Sequence, residues 1–246
     1  LSLLAAGLLI AGLPQRWLPR LVGFATGILL AVALLDVLPE AFEAGVESHD
    51  LFLTLLFGLL GFYGLERIAV WRHAHVDAQG HDHHCPPHAH HHATGVELHT
   101  IYSVLVGDGF HNLVDGVLIA AAFLSSPALG WGTTLAVIAH EIPQEAGDFA
   151  ILRAAGLSTK RALFFNALSS LSSILGGFLG YFALSHTQQY VPYVLTIAAA
   201  SFLYIAISDL LPLLRREVDR RTSMWQTAAM LLGIALIALS SLGHAH

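Results

Sequence analysis

Charge is what this sequence has least of. Only 11% of its 246 residues are Asp, Glu, Lys or Arg, against about 25% in soluble domains. Hydrophobic residues make up 55%, and the mean hydropathy is +0.67. Too few polar side chains remain to clothe a water-soluble core, so the composition is that of an integral membrane protein. Cysteine is nearly absent: Cys85 stands alone, which excludes an internal disulfide framework. Asparagine occurs only at Asn112 and Asn166, and neither opens a glycosylation sequon. The net charge of −6 says little about partners, but no basic face exists, which argues against a nucleic-acid partner. Leu1 to Leu13 has neither a basic leader nor a cleavage site. It begins without Met and is short for a membrane span, so the span is expected to continue upstream.

Apolar runs are what the sequence has in abundance. A bilayer core of roughly 30 Å needs about 20 apolar residues per helix. Eight candidate spans follow, near 1–13, 20–44, 51–71, 97–124, 131–155, 162–184, 190–214 and 224–243. The breaks between them hold prolines, glycines and charges. All eleven Lys and Arg fall in alternate loops or at adjoining helix ends. They are Arg16 and Arg20; Arg67 and Arg72; Arg153, Lys160 and Arg161; and Arg215, Arg216, Arg220 and Arg221. Basic residues mark cytoplasmic loops. Both termini are therefore expected outside a cell (inner) membrane, with the 73–94 stretch in the cytoplasm.

Six acids break this apolar pattern: Asp108, Asp115, Glu141, Glu145, Asp148 and Asp209 lie within spans, together with His111 and His140. An ionised side chain at the centre of a span costs about 2.5–3.5 kcal/mol. Six of them facing lipid would cost about 15–20 kcal/mol, more than the net stability of most domains. They must therefore face the bundle interior or a wet cavity. No Lys or Arg sits deep enough to neutralise them. Protons or a bound cation must do so, although interhelical hydrogen bonding accounts well for individual members, Asp108 and Asp148 above all.

At 100° per residue, His111, Asn112 and Asp115 share an arc of about 100° on the fourth span. His140, Glu141, Gln144, Glu145 and Asp148 share one of about 140° on the fifth. The short chargeless link Ser125–Gly132 makes the two spans antiparallel neighbours, with both clusters near mid-depth. Imidazoles and carboxylates converging at one depth suit a borderline metal such as zinc, with cadmium, iron and manganese as further candidates. Pro143 removes a backbone hydrogen bond from the carbonyl of Ala139, an arrangement tolerated beside a polar cavity.

Two further patterns concern the path and its regulation. Asp36-Val-Leu-Pro39 in the second span matches Asp209-Leu-Leu-Pro212 in the seventh, on oppositely directed helices. That suggests an inverted repeat of three helices, two central site helices, then three. Asp36, Glu40 and Glu43 share one face and form an expected cation funnel at the outer mouth, with Asp209 near the inner one. Nine histidines lie between His73 and His92. Of these, His81, His83, His84, His88, His90, His91 and His92 flank Cys85-Pro86-Pro87 in a loop suited to labile metal binding.

Phe110-His-Asn-Leu-Val-Asp-Gly116 and His140-Glu-Ile-Pro-Gln-Glu-Ala-Gly-Asp-Phe-Ala-Ile-Leu152 resemble the ZIP (Zrt/Irt-like) family of metal transporters. The second motif is similar to the branch whose pattern is His-Glu-x-Pro-His-Glu-x-Gly-Asp. The resemblance implies an all-α, eight-span bundle that moves zinc or a related divalent metal into the cytoplasm. It also implies ligands at His111, Asn112, Asp115, His140, Glu141 and position 144. Gln144 stands where that branch has His, which trades a strong neutral ligand for a weak amide oxygen. Ser169 and Ser170 occupy the sixth span where other branches supply a carboxylate for a second metal.

A passive divalent-cation channel is the nearest rival. An intramembrane zinc metalloprotease is a further one, because His140-Glu141 opens like His-Glu-x-x-His. Gln144 replaces the second His, and a protease gives no reason for the acids and His of the fourth span. Besides metal and lipid no partner is implied, and a homodimer is left open. Deleting Ala74–His92 is expected to leave folding and basal metal uptake intact while shifting the apparent affinity at low metal. Complete loss of uptake in a well-folded deletion, measured in proteoliposomes, would overturn this.

Overall fold

The computed structural model describes residues 17–78, 98–215 and 219–242, and within them every long element is a helix. The first expected span, 1–13, and the loop histidines His81 to His92 lie outside the described residues. A first rod comprises α1 (Leu18–Ala31), a π-helical turn (Val32–Val37) and α2 (Leu38–Glu43). It is followed by α3 (Ser48–Ala78), α4 (Leu98–Ser125), α5 (Pro127–Ala154) and α6 (Thr159–Ser185). A second interrupted rod follows a single 3-10 turn and comprises α7 (Val191–Tyr204), a π-helical turn (Ile205–Leu210) and α8 (Leu211–Arg215). The last helix is α9 (Arg220–Leu242).

Six of these rods are long and apolar enough to cross a membrane. α5 is also 28 residues long, but it carries Glu141, Glu145, Asp148 and Arg153. The protein is an all-α membrane protein. The helix ends agree with the expected spans to within a few residues, except that α3 continues to Ala78 rather than stopping near 71. The added segment Arg72-His-Ala-His-Val-Asp-Ala78 contains neither Gly nor Pro, so nothing in it breaks the helix.

Local chemistry fixes the joints. Ser126 caps α5 by accepting from the Leu129 amide at 3.2 Å, with Pro127 at the first helical position. Ser158 does the same for α6 through Arg161, and Asp219 for α9 through Thr222 at 2.9 Å. Both π-turns stand directly before a Leu-Pro pair. Pro39 and Pro212 have no N–H to offer one turn back. Each chain widens for one turn just before its proline, with Leu38 N–H reaching Ala33 O and Leu211 N–H reaching Ala206 O. The Asp-x-Leu-Pro match read from the sequence thus coincides with a matching backbone feature.

A continuous apolar core joins α1, α4, α5 and α7, with Ile28, Leu29, Val32, Leu118, Ala136, Leu195 and Phe202 among its buried members. α3, α6 and α9 lie at the periphery and expose large apolar residues such as Phe57, Leu60, Phe178, Phe182, Leu232 and Leu239. Such faces suit lipid rather than water.

Glycine lets the peripheral helices seat closely. A Cβ at Gly176 would collide with the backbone of Leu113, and one at Gly116 with the backbone of Ser173, so α4 and α6 touch main chain to main chain. Gly27 faces the Met230 backbone in the same way and seats α9 on α1. Small residues at crossings are a general means of membrane-helix packing. Gly176→Val is expected to lower the detergent melting temperature by several degrees, because the obstacle is backbone and overpacking costs about 1–3 kcal/mol. Gly64→Ala, which meets nothing within 4 Å, should leave it unchanged or raise it. Equal melting temperatures for Gly176→Val and the native chain would refute the close seating.

Candidate metal centre

α4 and α5 run antiparallel from the turn at Ser126, whose end of the molecule is termed upper. His111 and Asp115 stand one turn apart on α4, and His140 and Glu141 are adjacent on α5. The four side chains offer one ligand atom each within 4.8 Å of one another. His140 Nε2 lies 3.2 Å from His111 Nε2 and 3.1 Å from Asp115 Oδ2, and His111 Nε2 lies 3.5 Å from the same oxygen. Tetrahedral zinc, with bonds of about 2.0–2.1 Å, holds its ligand atoms about 3.3 Å apart. Three edges of such a tetrahedron are already present, and Glu141 stands beside them as the fourth donor.

The tautomer of His140 favours this use. Its Nδ1 is 3.0 Å from the carbonyl of Ala136, which can only accept, so Nδ1 carries the hydrogen and neutral His140 turns a lone pair inward. Asp115 and Glu141 are buried, and Asp115 Oδ1 and both Glu141 carboxylate oxygens have no hydrogen-bond partner. Several electron-rich atoms thus crowd one small volume with too few protons to link them. A cation satisfies all of them at once.

The surroundings are asymmetric. Above the cluster, Leu118, Ala121, Ala122, Thr133, Ala136 and Val137 are buried, and the Phe202 ring lies 6.1 Å from that of His140. Just below it Asp108, Asn112, Glu145, Asn166 and Ser169 are buried, and further down Ile101, Phe149, Leu152 and Ala162 form a second apolar cluster.

Not every residue read from the sequence joins the four-residue group. Asn112 is buried one turn above Asp108 and donates from Nδ2 to the Asp108 carboxylate at 2.8 Å and its carbonyl at 3.1 Å. Gln144 is half-buried within hydrogen-bonding reach of Asp108. Glu145 turns toward α6, where Ser170 donates to its Oε1 and Asn166 to its backbone carbonyl at 2.9 Å. Asp36 lies in the first π-turn and accepts from Ser241 of α9. Glu40 accepts from Ser125 at the upper end of α4, Glu43 is exposed, and Asp209 is exposed in the second π-turn. Sequence reasoning passed over Asn166, although a lone amide within an apolar span was a signal that could have found it.

The ZIP Zinc transporter family model matches residues 2–241. The chain belongs to the ZIP zinc transporter family. Among curated ZIP relatives, Zinc transporter ZIP6 of Homo sapiens is 37% identical over 148 residues, which are 57% of this chain and 20% of that protein. Zinc transporter foi of Drosophila melanogaster is 37% identical over 142 residues, again 57% of this chain and 20% of that protein. Zinc transporter ZIP4 of Mus musculus is 42% identical over 120 residues, 49% of this chain and 18% of that protein. The match thus spans about a fifth of the length of these ZIP relatives.

His140→Ala or Asp115→Ala is expected to weaken zinc binding by at least about a hundred-fold, since each removes a corner of the tetrahedron. Calorimetric titration of the detergent-purified protein measures this. A change below threefold in both variants would show that zinc binds elsewhere.

Proposed function

We propose that this chain carries divalent transition metal across a membrane, zinc first, through the centre formed by α4 and α5. The observation that carries the reading is the approach of two imidazole nitrogens and one carboxylate oxygen to 3.1–3.5 Å inside an apolar bundle. Membership of the ZIP zinc transporter family and the names of its relatives support zinc as cargo. Mixed nitrogen and oxygen donors suit cadmium, iron and manganese less selectively.

The direction is inward. The basic residues assign the upper end to the outside, the His-rich loop to the cytoplasm and both termini to the outer face. Asp36 and Glu43 collect metal at the upper end; the central ligands replace part of its water; Asp209 and the loop histidines receive it below. The dry packing above the cluster and the buried acids below it accord with release toward the cytoplasmic side. The paired π-turns before Pro39 and Pro212 support a plan of two inverted three-helix halves around α4 and α5. The loop deletion is best begun at Gln79, since α3 extends to Ala78.

Protons compete with metal for imidazole and carboxylate ligands. Binding should therefore weaken as pH falls. Asp36→Ala with Glu43→Ala should raise the half-saturating zinc concentration more than it lowers the maximal rate. Both are read from zinc uptake into oriented proteoliposomes with clamped pH and voltage. Binding indifferent to pH between about 5 and 8, with normal uptake by the double variant, would overturn the proposed path.

A further inference from the structure

The close seating of α9 on α1 also builds a site at the lower end of that pair. A Cβ on Gly23 would meet the Gln226 carbonyl, and one on Gly27 the Met230 carbonyl. Equal steps along both helices mean that they run in the same direction, backbone against backbone. Arg20 stands about one turn before Gly23 on α1, and Trp225 directly before Gln226 on α9. The seam therefore brings them to one level. The Arg20 guanidinium carbon lies over the Trp17 ring, 4.8 Å from its centroid, and over the Trp225 ring, 5.1 Å from its centroid. The two tryptophans are 44% and 51% exposed.

Contact with ring faces holds a guanidinium in place without engaging its N–H groups. Arginine carries several such donors in a planar fork. Among the described residues none of those of Arg20 meets an acceptor or an acid. Arg215, Arg220 and Arg221 are exposed at the same end. Asp219 is the described acid at the start of α9, and it is committed to capping that helix through Thr222. The protein thus orders this guanidinium without neutralising it. Depth adds a further constraint. The apolar stretch Pro19–Glu43 starts beside this arginine, and the stretch Arg220–Ser241 starts shortly before Trp225. Tryptophans where apolar spans begin mark the level of the lipid headgroups.

We propose that Arg20, stacked on Trp17 and Trp225, binds the phosphodiester of an anionic phospholipid in the lower leaflet. A guanidinium meets phosphate oxygens through paired N–H donors, and indole rings suit the boundary between headgroup and acyl chain beside it. Arg220 and Arg221 add the positive charge that favours a net negative headgroup over a zwitterionic one. A lipid held there touches α1 and α9 together and fixes their lower ends at one depth. The leaflet is the cytoplasmic one on the orientation proposed above, whereas the lipid chemistry does not rest on that reading. No metal takes part, and the α4–α5 centre is not involved.

Native mass spectrometry of the full chain in detergent, offered phosphatidylglycerol and phosphatidylcholine, counts the lipids retained. One phosphatidylglycerol should stay bound more tightly than any phosphatidylcholine. Arg20→Gln should weaken it about tenfold, as expected for loss of a charge-assisted contact. Arg20→Lys keeps the charge but loses the planar fork, and Trp225→Leu keeps the bulk but loses the stack. Each should weaken retention at least about threefold. A native chain with no preference for phosphatidylglycerol would overturn the site, whatever the variants do. Full preference in Arg20→Lys would show diffuse attraction by basic residues, and the stacked site would be wrong. Inorganic phosphate retained as well as phosphatidylglycerol would make the occupant a free anion, and the lipid site would again fail.

Discussion

An anion removed from water must find compensation nearby, and the interior of this bundle depends on how that is met. Asp115, Glu141 and Glu145 are as buried as the leucines around them. A soluble protein would answer with arginine or lysine. Here no Lys or Arg occurs between Arg72 and Arg153, the stretch that carries these acids, so the interior keeps a standing deficit of positive charge. Histidine is the one basic side chain placed among the acids, and His140 spends its only hydrogen on a backbone carbonyl. On the proposed reading, the site would select for a mobile cation by withholding a fixed one. A permanent partner such as arginine would satisfy the carboxylates and abolish the reason to bind metal.

Such a centre needs rigid walls, because an error of one ångström between ligands loses coordination. The walls are supplied by contacts between backbones. α6 rests on α4 through Gly116 and Gly176, and the Phe202 ring packs against His140 from α7. Bulk sits on the outside, where phenylalanines and leucines of α3, α6 and α9 face lipid. Small residues and acids lie within, beside a core of buried leucines and isoleucines, and further large apolar residues lie without.

The helices were legible because apolar length and breaker residues report on each span separately. The pairing of α4 with α5 followed from a short link, and His111, Asp115, His140 and Glu141 from residue types too costly to bury idly. The two turns of α5 were harder to separate. A shared arc places His140, Glu141, Gln144 and Glu145 on one face, but not at one depth. One turn lower, Glu145 answers to Ser170 and Asn166 of α6, a helix whose approach to α5 no pattern within either helix encodes. The π-turns were hidden for a related reason. Asp-x-Leu-Pro was visible as a repeated string, but the wider turn before each proline depends on the chain finding room beside its neighbours.

Each π-turn also changes what a residue number means. A turn that takes one extra residue sets the helix after it about 100° out of phase with the helix before it. Leu34 and Leu35 are exposed while Ala33 and Val37 are buried, so the first rod changes its inward stripe within this turn. Glu40 and Glu43 belong to the second phase and Ile28 and Leu29 to the first. The rod is in effect two faces spliced end to end, one written for the core and one for the mouth. Losing a single residue from the splice would barely shorten the helix, yet it would swing every acid beyond it around the axis.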